Sequence, residues 1–159
     1  MQPVRHSEQG MSLTEQVNRP PASVEAEQAL LGGLMLDSHS WEHIADRVSE
    51  TDFYRPDHRL IFDSIRTLAS RDKPRDAVTV SEYLDSRGVL AEVGGLSYLS
   101  ALVKDTPSAA NVITYAEIIR ERALLRELIS VGNEIAASAF HTEGRPAEEL
   151  VDDAEKRVY

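Results

Sequence analysis

Three groups of side chains in this sequence have types and spacings that invite chemistry. His39 and His43 stand four residues apart, the interval that sets two imidazoles on one helical face. A zinc hydrolase would read H-E-x-x-H there, whereas this segment reads H-S-W-E-H with Trp41 between the histidines, so exposed or packed histidines are the simpler reading. Arg55, Asp57, His58 and Arg59 flank Pro56 and would suit acid–base work on paper. Solvated charges and local ion pairs at a helix start account for them with less. Arg120, Arg122 and Arg126 form the third group. Glu117, Glu121 and Glu127 interleave with them, which favours a solvated face over a docking point for an acidic partner or a phosphate.

The motifs of catalysis are missing. The sequence has no G-x-x-x-x-G-K-[ST], G-x-G-x-x-G or G-x-S-x-G, and none of its lysines, Lys73, Lys104 and Lys156, follows a glycine. It has no cysteine, which excludes disulfides, thiolate metal sites and a cysteine nucleophile and fits a reducing compartment. Gly32-Gly33 lacks the loop-to-helix setting of a phosphate cradle; close approach of a neighbouring helix explains it better. No cofactor and no metal are expected in this chain.

The elements that must position these residues read as helices throughout. Residues 1–19 are polar and poor in core formers, and are expected to be disordered. After Pro20-Pro21, Ser23 can cap a helix whose apolar positions Ala26, Leu30, Leu31, Leu34 and Met35 keep helical spacing, with Glu25 and Glu27 at its positive end. A second helix is expected over Trp41–Val48. A third starts at Pro56, with Leu60, Ile61, Ile65 and Leu68 inward. Thr79-Val80-Ser81-Glu82 reads as a capping box for a short fourth, and LSYLSALVKD as a fifth stopped by Pro107. From Ser108 to about Phe140 only Gly132 interrupts a helical pattern, giving a rod of roughly 50 Å. Gly144-Arg145-Pro146 turns the chain, and Pro146 starts a closing helix. The expected fold is all-α: a compact multi-helix head over residues 20–106, then a long helical hairpin over residues 107–159. The helical pattern is still running at Tyr159, which reads as a cut rather than a natural end.

The hairpin carries more apolar surface than it can cover. Leu124, Leu128, Val131 and Ile135 form one stripe; Leu125, Ile129 and Ala136 form a second beside it. The short closing helix, with Leu150, Ala154 and Val158 on one side, can shield only part of this width. Burying one Leu or Ile is worth roughly 1.5–3 kcal/mol. The rest of the face therefore requires the head, a second copy of the chain or another protein. Charge adds a constraint: 17 basic and 27 acidic residues give −10, and no segment is strongly positive. Such a chain is a poor main grip on nucleic acid. No run of about 18 apolar residues is present and residues 1–20 lack a signal-peptide core, so a cytoplasmic setting is expected.

Three phrases carry a family resemblance: PPASVEAEQALLGGLMLDSHSWEHIADRVSETDFYRPDHRLIF, GVLAEVGGLSYLSALVKDTPSAANVITYAEIIRERALLRELISVGNEIAASAF and GRPAEELVDDAEKRVY. Together they span about residues 20–159 and resemble the amino-terminal region of the bacterial replicative DNA helicases of the DnaB family. The resemblance implies a non-catalytic collar domain, with ATP, Mg and most DNA contacts belonging to a RecA-like ATPase domain that is absent from this chain. It implies hairpins paired into dimers within a hexameric ring, a docking surface for the carboxy-terminal domain of primase, and contact with a helicase loader. Carried onto this sequence, Ile129, Ile135 and Leu150 are candidates for pairing or primase docking, beside Leu124 and Leu128. Tyr98, in GGLSYL, is a further candidate where head and hairpin meet. Each could instead hold its own chain together. The rival to this reading is a free-standing helical adaptor without a motor.

Overall fold

A computed structural model of the protein describes residues 19–159, and every regular element among them is a helix. The tail expected to be disordered lies outside the described residues except for Arg19.

The first helix, α1 (Val24–Leu36), starts where Ser23 caps it, its side chain accepting the Ala26 N–H at 3.2 Å. Leu30, Leu31, Leu34 and Met35 are buried. The second, α2 (Trp41–Ile44), is half the expected length. The Arg47 side chain donates to the His43 carbonyl at 3.0 Å and the Arg47 N–H goes to Ile44, so the next helical turn cannot form. Val48 still reaches the core.

Pro56 occupies the first turn of α3 (Pro56–Ser70), as its fixed φ favours. This helix buries Ile61, Phe62, Ile65 and Leu68, and Phe62 packs against Phe53 and Trp41 with ring centroids 4.9 and 5.4 Å apart. The fourth helix, α4 (Ala77–Ser86), begins before the expected capping box. Asp76 is the cap, accepting the Thr79 N–H and the Thr79 hydroxyl at 3.0 Å each. Thr79 is thus a donor inside the first turn rather than the residue that starts it.

The Asp76 carboxyl is held below its usual range, chiefly by the Thr79 N–H. A group whose folded pKa is depressed stabilises the fold fully above its unfolded pKa and loses that contribution as pH falls through the folded value. Asp76→Ala is therefore expected to cost about 1 kcal/mol at pH 7 and less at acid pH, where the protonated carboxyl still accepts from Thr79 but the charge-assisted part is gone. Urea melts at neutral and acid pH check this; an equal cost at both would refute the charge-assisted part of the cap.

After α5 (Gly95–Lys104) the chain turns through Pro107, and α6 (Val112–Phe140) begins four residues later than the sequence pattern suggests. The Ser108 side chain accepts the Ala110 N–H at 2.9 Å, which ties residues 108–110 into a turn. The last helix, α7 (Ala147–Val158), is preceded by Pro146 in an extended conformation, so Pro146 flanks the helix instead of opening it. Arg145 pairs with Glu149 and Asp153 across this start, and holds the Asp153 carboxyl below its usual range.

The central helix is α1, which packs on α6, α5 and α3. Its glycines permit this. A methyl group on Gly32 would sit 2.4 Å from the Leu102 carbonyl and 2.1 Å from the Thr106 hydroxyl; one on Gly33 would meet Val112 at 2.8 Å. The first turns of α6 bury Val112, Ala116 and Ile119 in the same core, while no residue of α6 after Ile119 is buried. The remainder of the 29-residue helix, roughly 30 Å, projects with α7 folded back along it.

Candidate docking surfaces

In the charged group around Pro56, Arg55 and Asp57 form the expected local ion pair and Arg59 is exposed, but His58 departs from a solvated role. His58 is fully buried, and so is Glu27 of α1. Glu27 accepts the His58 Nδ1–H at 2.7 Å, the Tyr54 N–H at 2.6 Å and the Arg55 N–H at 3.4 Å. His58 Nε2 is then left as an acceptor for the Tyr98 hydroxyl at 2.7 Å, and the Tyr98 oxygen accepts from Gln28 at 3.2 Å. One histidine tautomer satisfies every member of this chain. Arg55 instead pairs with Asp57 at 2.5 Å, which raises the Arg55 pKa, and lies 5.6 Å from the centre of the Tyr98 ring. The network joins α1, α3 and α5, and it fixes Tyr98 in place. With no open nucleophile and the imidazole wholly enclosed, it is a positioning device. Glu27 and His58 were legible as unusual in the sequence: Glu27 falls in helical register with Leu30, Leu31 and Leu34, and His58 with Ile61, Phe62 and Ile65.

The arginines of α6 also differ from a solvated face. Arg120 pairs with the nearly buried Asp52 at 2.8 Å. Arg126 donates to the carbonyls of Pro21 and Asp52 at 2.7 Å each and lies 5.3 Å from the centre of the Tyr54 ring. Both residues tie the projecting helix to the head. Only Arg122 remains outside, paired with the exposed Glu121.

Beside these tethers the helix is open, and Ile129 shares a groove with Arg126, Tyr54 and Pro20. Leu124 is 48% exposed, Leu128 65% and Ile129 48%, with Leu125 also open. Ile135, Leu150 and Ala154 line one small cleft at the seam of α6 and α7, and Ile135 and Leu150 are half-buried there. An ion pair between Arg157 and Glu134 closes the same seam. The candidates therefore divide. Leu124, Leu128 and Ile129 face outward; Ile135 and Leu150 meet each other across the hairpin; Tyr98 stands in the head, on the wall of a cavity shared with Tyr115 of α6.

Among the described residues no helix is long and apolar enough to cross a membrane, and no group of three or more His, Asp or Glu side chains could hold a metal ion. His39 and His43 are thus two histidines without a third ligand.

A family model described as the DnaB-like helicase N terminal domain matches residues 19–121. The replicative DNA helicase DnaB of Haemophilus influenzae is 49% identical over 146 residues, which cover 92% of this chain and 31% of that protein. The chain thus spans about a third of the curated relative's length. The crystal structure of the N-terminal domain of DnaB helicase from Mycobacterium tuberculosis superposes with a TM-score of 0.84 at 40% identity, covering 89% of this chain and 99% of that one. A DnaB-like replicative helicase, solved to describe its interactions with primase, shares the fold at a TM-score of 0.71 and 18% identity over 86% of this chain and 31% of its own. With the family model spanning well over half of the residues, this chain belongs to the DnaB-like helicase N-terminal domain family.

Proposed function

We propose that this chain is the non-catalytic collar of an ATP-dependent replicative DNA helicase in the cytoplasm, and that it helps to assemble a hexameric ring and to dock primase. The observation that carries the proposal is the open row Leu124, Leu125, Leu128 and Ile129 on a helix that its own head and α7 leave uncovered. Several large apolar side chains side by side on a protruding rod mark a surface that another molecule buries. In this reading a second copy covers that row, and pairs of copies build the ring. Ile135 and Leu150 shape the hairpin that presents it, and Tyr98 offers a docking point on the head. The carboxy-terminal domain of primase and a helicase loader are the other partners. ATP, its Mg ion and most of the DNA contacts belong to the ATPase domain of the assembled helicase. The acidic charge of this chain agrees with that division of labour.

Leu128→Asp tests the pairing. In a two-fold interface the residue counts twice, so losing about 1.5 kcal/mol per copy weakens dimerisation by about 3 kcal/mol, or roughly a hundredfold. Sedimentation equilibrium is expected to show this shift with an unchanged far-UV circular dichroism spectrum; unaltered self-association would overturn the pairing role. Ile135→Asp is expected to open the hairpin seam and weaken both self-association and binding of the primase carboxy-terminal domain, while the head keeps its cooperative melt. Normal affinity in both assays would remove Ile135 from the docking surface.

A further inference from the structure

The groove beside Ile129 opens where residues 1–18 join the head. It holds about 530 Å³, with Pro20 and Tyr54 on the head side and Ile129 on α6. Its floor on α6 includes Arg126, Asn133 and Ala137, which repeat at i, i+7 and i+11 and therefore share one helical face. Leu124, Leu128 and Ile135 stand two residues out of step with them, on the opposite side of the helix. The groove is thus separate from the hairpin seam and from most of the open row; Ile129 alone belongs to both row and groove.

Position, reach, composition and charge point to one occupant, the chain's own residues 11–18. Pro20 lines the groove, and the Arg126 guanidinium donates to the Pro21 carbonyl at 2.7 Å, so the chain is pinned at the groove's mouth. Val17 lies three residues before Pro20, at most about 10 Å of chain, and Leu13 seven residues before it, at most about 25 Å. The floor from Arg126 to Ala137 is about 16 Å long, so both can reach it. Residues 11–18 read MSLTEQVN, with Leu13 and Val17 one helical turn apart and Glu15 as the sole charge. Arg126 has no carboxylate partner among the described residues, its guanidinium being met by carbonyls alone. A stretch this polar cannot fold by itself. Tethered a few residues from the groove, it has an effective concentration of about a millimolar, so even a weak contact is populated without a second molecule.

We propose that residues 11–18 of this chain seat in the groove, with Val17 beside Tyr54 and Ile129, Leu13 further along toward Ala137, and Glu15 turned to Arg126. The contact extends the tether that Arg126 already makes and clamps the projecting helix to the head from the side opposite the hairpin seam. It shields the groove side of Ile129 and leaves Leu124, Leu125 and Leu128 open to a second copy, so it does not depend on the pairing proposed above.

The test uses the 159-residue chain, whose lack of cysteine lets Ser12→Cys carry a single nitroxide spin label. The label is expected to broaden the amide NMR signals of Asn133 and Ala137. Adding Leu13→Asp and Val17→Asp to the labelled chain gives the baseline for a segment that is tethered but not seated. A seat occupied more than half of the time weakens the two signals by at least about twofold relative to that baseline. Ala137→Asp, at an exposed position, is expected to remove the excess broadening from the groove side with an unchanged circular dichroism spectrum. Equal broadening with and without the Leu13 and Val17 substitutions overturns the seat, as does broadening that survives Ala137→Asp undiminished. Mixing isotope-labelled chain free of nitroxide with nitroxide-labelled chain free of isotope identifies the source. Broadening as strong in the mixture as in the doubly labelled chain would mean that a second copy's segment fills the groove, and would overturn the intrachain seat.

Discussion

Gly32→Ala is expected to destabilise the protein by about 2 kcal/mol, against the direction that helix propensity dictates. Alanine in place of glycine inside a helix normally gains roughly 1 kcal/mol. Here the added methyl would stand 2.4 Å from the Leu102 carbonyl and 2.1 Å from the Thr106 hydroxyl. The hydroxyl can move, but the carbonyl belongs to α5, so α1 and α5 must part. Overpacking a filled core costs typically 1–3 kcal/mol, and more where backbone shifts. On a chain of this size the net loss lowers Tm by about 5–8 °C. Gly32→Val, with two more methyl groups in the same place, is expected to abolish the cooperative transition. Thr106→Ala in the Gly32→Ala background removes one of the two obstacles and should restore part of the loss. Differential scanning calorimetry of the four proteins decides the matter; a rise in Tm for Gly32→Ala would show that the helices do not approach as described.

Glu27→Ala is expected to cost about 4 kcal/mol, the largest loss anticipated for a single polar side chain here. Its carboxylate accepts from His58, Tyr54 and Arg55 within a buried site. Removing one partner of such a cluster typically costs 3–5 kcal/mol, because the groups left behind are desolvated and unpaired. The isosteric Glu27→Gln is the sharper test. A carboxylate is acceptor-only, and all its neighbours are donors. An amide must turn its NH₂ toward Tyr54 or toward His58 and Arg55, so about half of the loss is expected even though no volume changes. Tyr98→Phe, which leaves His58 Nε2 without a donor, should cost about 1–2 kcal/mol. Chemical denaturation of the three variants checks the order Ala, then Gln, then Phe. A Gln variant as stable as the original would mean that the carboxylate is not the hub.

The two predictions rest on different kinds of information. Gly32-Gly33 reads from the sequence as a place of close approach, since two glycines in a helix have to be justified by packing. What approaches could not be read there. The Leu102 carbonyl and Thr106 are some 70 residues away, and only the packing of α5 on α1 brings them there. The Glu27–His58 pair was half legible. Both residues fall in the apolar register of their helices, yet the sequence also offers each a solvated role at a helix start. Burial on both sides at once is a property of how α1 and α3 pack, and no local pattern records it.

The sequence by itself determined that the chain is helical, where α1 and α3 begin, that it carries no phosphate-loop motif, and that its last third has a wide apolar face. These follow from periodicity, capping residues and motif content, which are local or additive. Tertiary structure decided which side chains hold α6 to the head, so that Arg120 and Arg126 became tethers and Leu124, Leu128 and Ile129 were left outward. It also decided that Tyr98 ends a buried relay. The physical reason is that a side chain's partners are set by contacts between segments distant in sequence, and those contacts exist only once the helices have packed.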